Sequence, residues 1–147
     1  MSSRFLLDTN VLSELMRAHP AAALVDWFAL NAQAAMHTST ITQAEILTGI
    51  ALLPAGKRRT VLADAAELMF AQDFAGNCLD FDDAAAKNYA VLVATRTRQG
   101  RPILTEDAQI AAIALAAGLT VVTRNTKDFE NIEGLMLANP WQATTPH

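Results

Sequence analysis

Cysteine is almost missing from this chain: Cys78 is the only one in 147 residues. That excludes a disulfide framework and a thiolate metal site. Histidine is nearly as sparse. His19, His37 and His147 are scattered, with no HxH or HExxH spacing that would ligate zinc. Positive charge is also short: 11 Lys and Arg stand against 15 Asp and Glu, a net charge of −4. Such a balance argues against nucleic-acid binding by bulk electrostatics. It leaves open a protein that reaches phosphates through metal ions and a few local cations, because acids that hold a metal still count in the net charge.

Long apolar runs are absent too. The longest, around Ile110 to Val122, contains Gly118 and Thr120 and falls short of a membrane span. Asp8 breaks the N-terminal apolar stretch, which does not read as a signal peptide. These features predict a soluble, cytoplasmic protein. No internal repeat, low-complexity tract or linker interrupts the chain, so residues 1–141 are expected to form one domain and 142–147 a flexible tail. What the chain does have is apolar surface. Hydrophobic residues make up 52%, and the mean hydropathy is +0.19. In a small domain that surplus points to an oligomer interface, and a homodimer is expected.

Arg4 to Asp8 reads as a buried strand and Thr9 to Arg17 as a helix, stopping before His19-Pro20. Pro20–Asn31, Thr42–Leu53, Lys57–Ala71, Asp82–Gln99 and Thr105–Ala117 have helical spacing, the last ended by Gly118. Asp82 or Asp80 is placed to cap the fifth helix. Strands are predicted at Ala35–Ser39, Asn77–Leu79, Leu119–Thr123 and Leu135–Leu137. Strands alternating with helices predict a three-layer α/β fold around a mainly parallel sheet.

Four isolated acids fall at the edges of these elements: Asp8, Glu45, Asp107 and Asp128. Each has an ordinary explanation. Asp8 suits an N-cap, and Glu45 fits a capping box in Thr42-Gln43-Ala44-Glu45. Asp107 complements the dipole of the sixth helix, and Asp128 sits in a turn. Together they ask for more. Ligands of open α/β sheets bind beyond the carboxyl ends of the strands, where one edge can collect all four. Crowded carboxylates repel by about 4 kcal/mol per pair at roughly 4 Å and an effective dielectric near 20. A hard cation relieves that repulsion, and Mg²⁺ or Mn²⁺ prefers oxygen ligands. The expectation is a metal-dependent phosphodiesterase whose acids form a cation cage.

Three segments, Leu6–Leu15 (LLDTNVLSEL), Ser39–Gly49 (SxxTxAEIxxG) and Glu106–Phe129 (EDAQIAAIALAAGLTVVTRNTKDF), together with Ala138-Asn139-Pro140-Trp141, resemble the PIN domain family. The likeness is closest to its VapC-type toxins and their FitB-like branch. It covers nearly the whole chain and implies a PIN fold with Mg²⁺- or Mn²⁺-dependent endoribonuclease activity. The family's ligand positions carry over to Asp8, Glu45 and Asp107. Asp128 matches its more variable fourth acid, a role that Asn125 could share. The resemblance also implies a cognate small DNA-binding antitoxin as partner, with RNA as substrate.

Around the acids, Thr9 and Asn10 are placed to orient Asp8, and Thr123 and Arg124 to contact substrate phosphate. Lys57-Arg58-Arg59 opens the fourth helix, the unfavourable end for positive charge, which suggests RNA binding. Arg96, Arg98 and Arg101 form a second basic cluster where the dipole welcomes them. Trp27, Phe28, Phe70, Phe74 and Trp141 read as core or interface. A phosphatase of the haloacid dehalogenase kind is an alternative, but Asn10 stands where it wants a second aspartate. A receiver domain lacks its acidic pair before the acceptor strand. A catalytically inactive PIN-type binding module is the non-enzymatic alternative.

Overall fold

The computed structural model describes residues 3–142, and five parallel strands form its centre. They are β1 (Arg4–Leu7), β2 (Ala35–Ser39), β3 (Cys78–Leu79), β4 (Thr120–Val122) and β5 (Leu137–Ala138), in the order β3-β2-β1-β4-β5. Six helices flank them: α1 (Thr9–Leu15), α2 (Ala22–Leu30), α3 (Thr40–Ala51), α4 (Lys57–Leu68), α5 (Asp83–Arg98) and α6 (Thr105–Ala117). A π-helical turn, Met69–Asp73, extends α4, and a 3₁₀ turn, Thr126–Phe129, follows β4. The α/β class and the parallel sheet agree with the sequence expectation. None of the described helices is long and apolar enough to cross a membrane.

Strand alternation separates two cores. Leu6 and Val121 face a cluster with α5 and α6, built from Leu92, Ile110, Ile113 and Phe129. Phe5, Leu7 and Val122 face the other cluster, with Leu12, Leu24, Ile46 and Phe70. Successive residues on one strand point to opposite faces, so a sheet covered on both sides reads as an uninterrupted apolar run. Trp27, Phe28, Phe70 and Phe74 all join the second cluster, as expected. Gly118, with φ 69°, ends α6 in the left-handed conformation that lets the chain turn into β4.

The structure redraws several boundaries. The last strand is Leu137–Ala138 rather than Leu135–Leu137, because Val121 and Val122 pair with those residues. Helix α2 begins at Ala22, and the Ala21 amide is capped from outside by Glu14 Oε2 at 2.9 Å. Helix α3 begins at Thr40 because the Ser39 hydroxyl accepts the Thr42 amide at 3.1 Å. Glu45 is therefore in the second turn and no part of a capping box. Asp82 caps α5 through Ala85 N at 2.9 Å. Of the expected tail, residues 143–147, including His147, lie outside the described residues.

Arg96 stands apart from Arg98 and Arg101, with which it groups in sequence as a basic cluster at the end of the fifth helix. It is buried at 6% exposure, and among the described residues it meets no carboxylate. Its Nε donates to Arg101 O at 2.8 Å and its Nη1 to Glu130 O at 3.0 Å. One side chain thus joins the loop that leads into α6 to the turn after β4. Charged hydrogen bonds of this kind contribute about 1.5–3 kcal/mol each. Arg96→Met is expected to lower unfolding free energy by roughly 2–4 kcal/mol, read by urea denaturation. A loss under about 0.5 kcal/mol, the scale of an ordinary surface substitution, would contradict it.

Candidate active site

β1 is the middle strand, and the chain crosses to opposite sides of it to build β2 and β4. Its carboxyl end is thus the switch point where open α/β sheets bind ligands. Asp8 stands there, 5% exposed. Its backbone N–H still bonds to Val122 O at 3.0 Å, while its side chain caps α1. Asp8 Oδ1 accepts the Thr9 amide at 2.8 Å. Oδ2 accepts from Thr123 Oγ1 at 2.8 Å and from Asn10 Nδ2 at 3.2 Å. The capping role and a ligand role are compatible, since Oδ1 accepts only the Thr9 amide and keeps a lone pair free.

The neighbouring polar residues lock this carboxylate. Asn10 Nδ2 also donates to Thr123 Oγ1 at 3.1 Å, and Asn10 Oδ1 accepts the Arg124 amide at 3.1 Å. The Asn125 amide donates to Thr123 Oγ1 at 3.1 Å. Thr9 Oγ1 donates to Glu45 Oε1 at 2.8 Å and lies 3.2 Å from the Thr42 hydroxyl. Thr9 and Asn10 therefore tie Asp8 to α3 on one side and to the β4 loop on the other.

A cleft of about 460 Å³ opens over these groups, lined by Asp8, Glu45, Asp107, Asn125, Arg124 and Trp141 among others. Asp107 enters from the first turn of α6. Burial raises its carboxyl, and the charges of Asp8, Asp128, Glu45 and Glu106 raise it further, to about 6. Burial also lifts Asp8 above the ordinary carboxylate range, with Glu45 adding to the lift. The hydrogen bonds from Thr123, Thr9 and Asn10 oppose it. The acids thus sense one another's charge.

They do not form the closed cage expected from sequence. Among the described residues no three His, Cys, Asp or Glu side chains are gathered closely enough to hold a metal ion. Asp128 is exposed in the 3₁₀ turn and acts on Asp107 as a like charge without lining the cleft, whereas Asn125 does line it. Glu45 leans onto Thr9. What remains is an open pair of raised carboxylates, Asp8 and Asp107. That fits Mg²⁺, which is commonly held by one or two carboxylates and completed by waters and substrate phosphate. Glu14 also lines the cleft and escaped the sequence reading. It is bound by Arg17 at 3.3 Å, and the Glu14-x-x-Arg17 spacing was its available signal.

The basic triplet is elsewhere. Lys57 and Arg58 line a neighbouring apolar groove of about 1030 Å³ between α1, α3 and α4, and Arg59 donates to Leu53 O at 3.5 Å. Thr9, Ser13, Arg17 and Glu45 line both hollows, so the groove runs into the acidic cleft.

The PIN domain profile matches residues 5–135. The chain belongs to the PIN domain family. Plasmid stability protein StbB of Pseudomonas syringae pv. tomato is 47% identical over 138 residues, covering 94% of this chain and 99% of its own. VapC ribonuclease Y4jK of Sinorhizobium fredii is 42% identical, covering 93% and 97%. The solved structure of FitAB bound to an IR36 DNA fragment superposes with a TM-score of 0.84 at 35% identity, covering 97% of this chain and 99% of that one. This PIN domain therefore belongs with the VapC-type, FitB-like toxins, as the sequence motifs implied.

Proposed function

We propose that this chain is a metal-dependent endoribonuclease, the toxin of a toxin–antitoxin pair acting in the cytoplasm, which hydrolyses RNA phosphodiester bonds. The observation that carries the reading is the convergence of Asp8, Glu45 and Asp107, from three separate elements, on one open cleft at the switch point of the sheet. A ribonuclease among the relatives, 42% identical along nearly the whole chain, supports the substrate class. A bound Mg²⁺ or Mn²⁺ would supply an acidified water and neutralise charge on the phosphate.

Asp8 and Asp107 are the residues we assign to holding that ion. Thr123, Thr9 and Asn10 fix the Asp8 carboxylate, so it would hold a bound ion without reorganising. Glu45 keeps Oε2 free while Thr9 holds Oε1, and it accepts the proton of the attacking water there. Asn125 lines the cleft at the fourth position, and Asp128 in the 3₁₀ turn acts on the site through its charge on Asp107. Arg124 faces the substrate phosphate. Lys57, Arg58 and Arg59 guide RNA along the adjoining groove. Because water is the nucleophile, the chemistry does not require a ribose 2′-OH.

Linkage between metal and fold tests this assignment. Millimolar Mg²⁺ or Mn²⁺ should raise the melting temperature, by about 2.7 kcal/mol of stability at a hundredfold excess over Kd. The shift should shrink strongly in Asp8→Asn. Equal shifts in wild type and variant would place the ion elsewhere and defeat the assignment.

A further inference from the structure

Arg124 is an exposed cation in an acidic cleft, yet it makes no ion pair among the described residues. Its guanidinium lies instead over the Trp141 ring, 5.2 Å from the centroid. The pair is built rather than incidental. The Arg124 N–H donates to Asn10 Oδ1 at 3.1 Å, and its carbonyl accepts from Asn139 Nδ2 at 3.3 Å. Asn139 Oδ1 in turn accepts the Trp141 N–H at 3.0 Å. The same Asn10 donates to Asp8, so one hydrogen-bond chain fixes the Arg–Trp pair relative to the carboxylates. Trp141 also packs on the core beneath, which anchors the ring.

We propose that Arg124 and Trp141 form a nucleobase subsite, taking the base of a nucleotide beside the cleaved bond in unpaired RNA. The proposal rests on the ribonuclease reading and adds to it a contact to the base made by two named side chains. A phosphate contact alone would need the charge but not the ring. Indole beneath guanidinium orients the cation and presents a flat, polarisable surface, and bases stack on aromatic rings and on arginine planes alike. A paired base has both faces covered by its neighbours in the stack, so only an unpaired nucleotide can use the platform.

The test is a cycle between protein and substrate. Wild type, Trp141→Leu, Trp141→Phe and Arg124→Lys act, with Mg²⁺, on a single-stranded RNA. The same RNA then carries an abasic nucleotide on either side of the bond that wild type cuts. Trp141→Leu should raise KM roughly 5- to 150-fold, the range of base–aromatic stacking, with kcat within about threefold. Trp141→Phe should recover most of the loss, and Arg124→Lys should not, since an ammonium cannot stack. One abasic substitution should cost wild type a similar factor and cost Trp141→Leu almost nothing. Equal abasic penalties in wild type and Trp141→Leu would overturn the subsite while leaving the ribonuclease intact. Wild type that cuts no RNA at all would overturn the functional reading and the subsite with it.

Discussion

Replacing Asp107 by asparagine is expected to abolish metal-dependent RNA cleavage and, at the same time, to stabilise the metal-free protein. The two effects have one cause. Burial and the charges of Asp8, Asp128, Glu45 and Glu106 push the Asp107 carboxyl to about 6, against 3.8 for the free group. The folded state therefore binds this proton more tightly than the unfolded state. Stability from this group is full below pH 3.8, falls as pH rises through the window to about 6, and stays lower above it. Asparagine has no proton to lose and is nearly the same size. Above pH 6 the apo variant should melt higher than apo wild type, and the difference should fade towards pH 4. Cleavage should fall by about a hundredfold or more, because losing even the groups that support a metal ligand costs about 10–100-fold. A variant that loses stability at pH 8, or that cuts RNA as wild type does, would contradict the prediction.

Expressed without its genomic neighbour, the protein should arrest growth, and co-expression with that neighbour should restore it. The physical basis is the continuity of the two hollows through Thr9, Ser13, Arg17 and Glu45. The groove is floored by Ile46, Ile50, Leu53 and Leu62, and Val61 beside it is 54% exposed. An amphipathic helix of a small DNA-binding antitoxin fits such a groove. A basic residue following that helix would enter the cleft of raised carboxylates and form a charge-assisted pair there. Together with the apolar surplus of the sequence, this predicts a toxin homodimer that retains the antitoxin through purification. A monomer that harms no host and loses the neighbour's product on size exclusion would defeat it.

What the sequence made legible followed from side chains whose partners are local or whose burial is periodic. The apolar run Phe5-Leu6-Leu7 announced a doubly covered strand, and Asp8 behind it fell at that strand's carboxyl end as expected, but that this end is the sheet's switch point came only with the strand order. Glu45 shows the limit. Its spacing from Thr42 satisfied a capping-box pattern, but Ser39 three residues earlier took the cap, leaving Glu45 to a hydroxyl 36 positions away. Arg96 was opaque for a related reason: its acceptors are backbone carbonyls, which every residue has and no sequence pattern marks. Trp141 was read as core or interface, and it does pack on the core, but its place in the cleft lining depends on Asn139 and Asn10. Spacing along the chain could not say how far a carboxylate on a turn, Asp128, stands from one on a helix, Asp107, and the structure leaves Asp128 outside the cleft lining.

Asp8 and Asp107 are proposed to hold a catalytic divalent ion. The most direct measurement is the rate of cleavage of one single-stranded RNA as Mg²⁺ is titrated from EDTA upward, for wild type and Asp8→Asn side by side. Wild type should cut nothing in EDTA and gain a rate that rises and saturates with Mg²⁺, while the variant should stay at a flat baseline. Cleavage that persists in EDTA, or an equal Mg²⁺ response in Asp8→Asn, would contradict it.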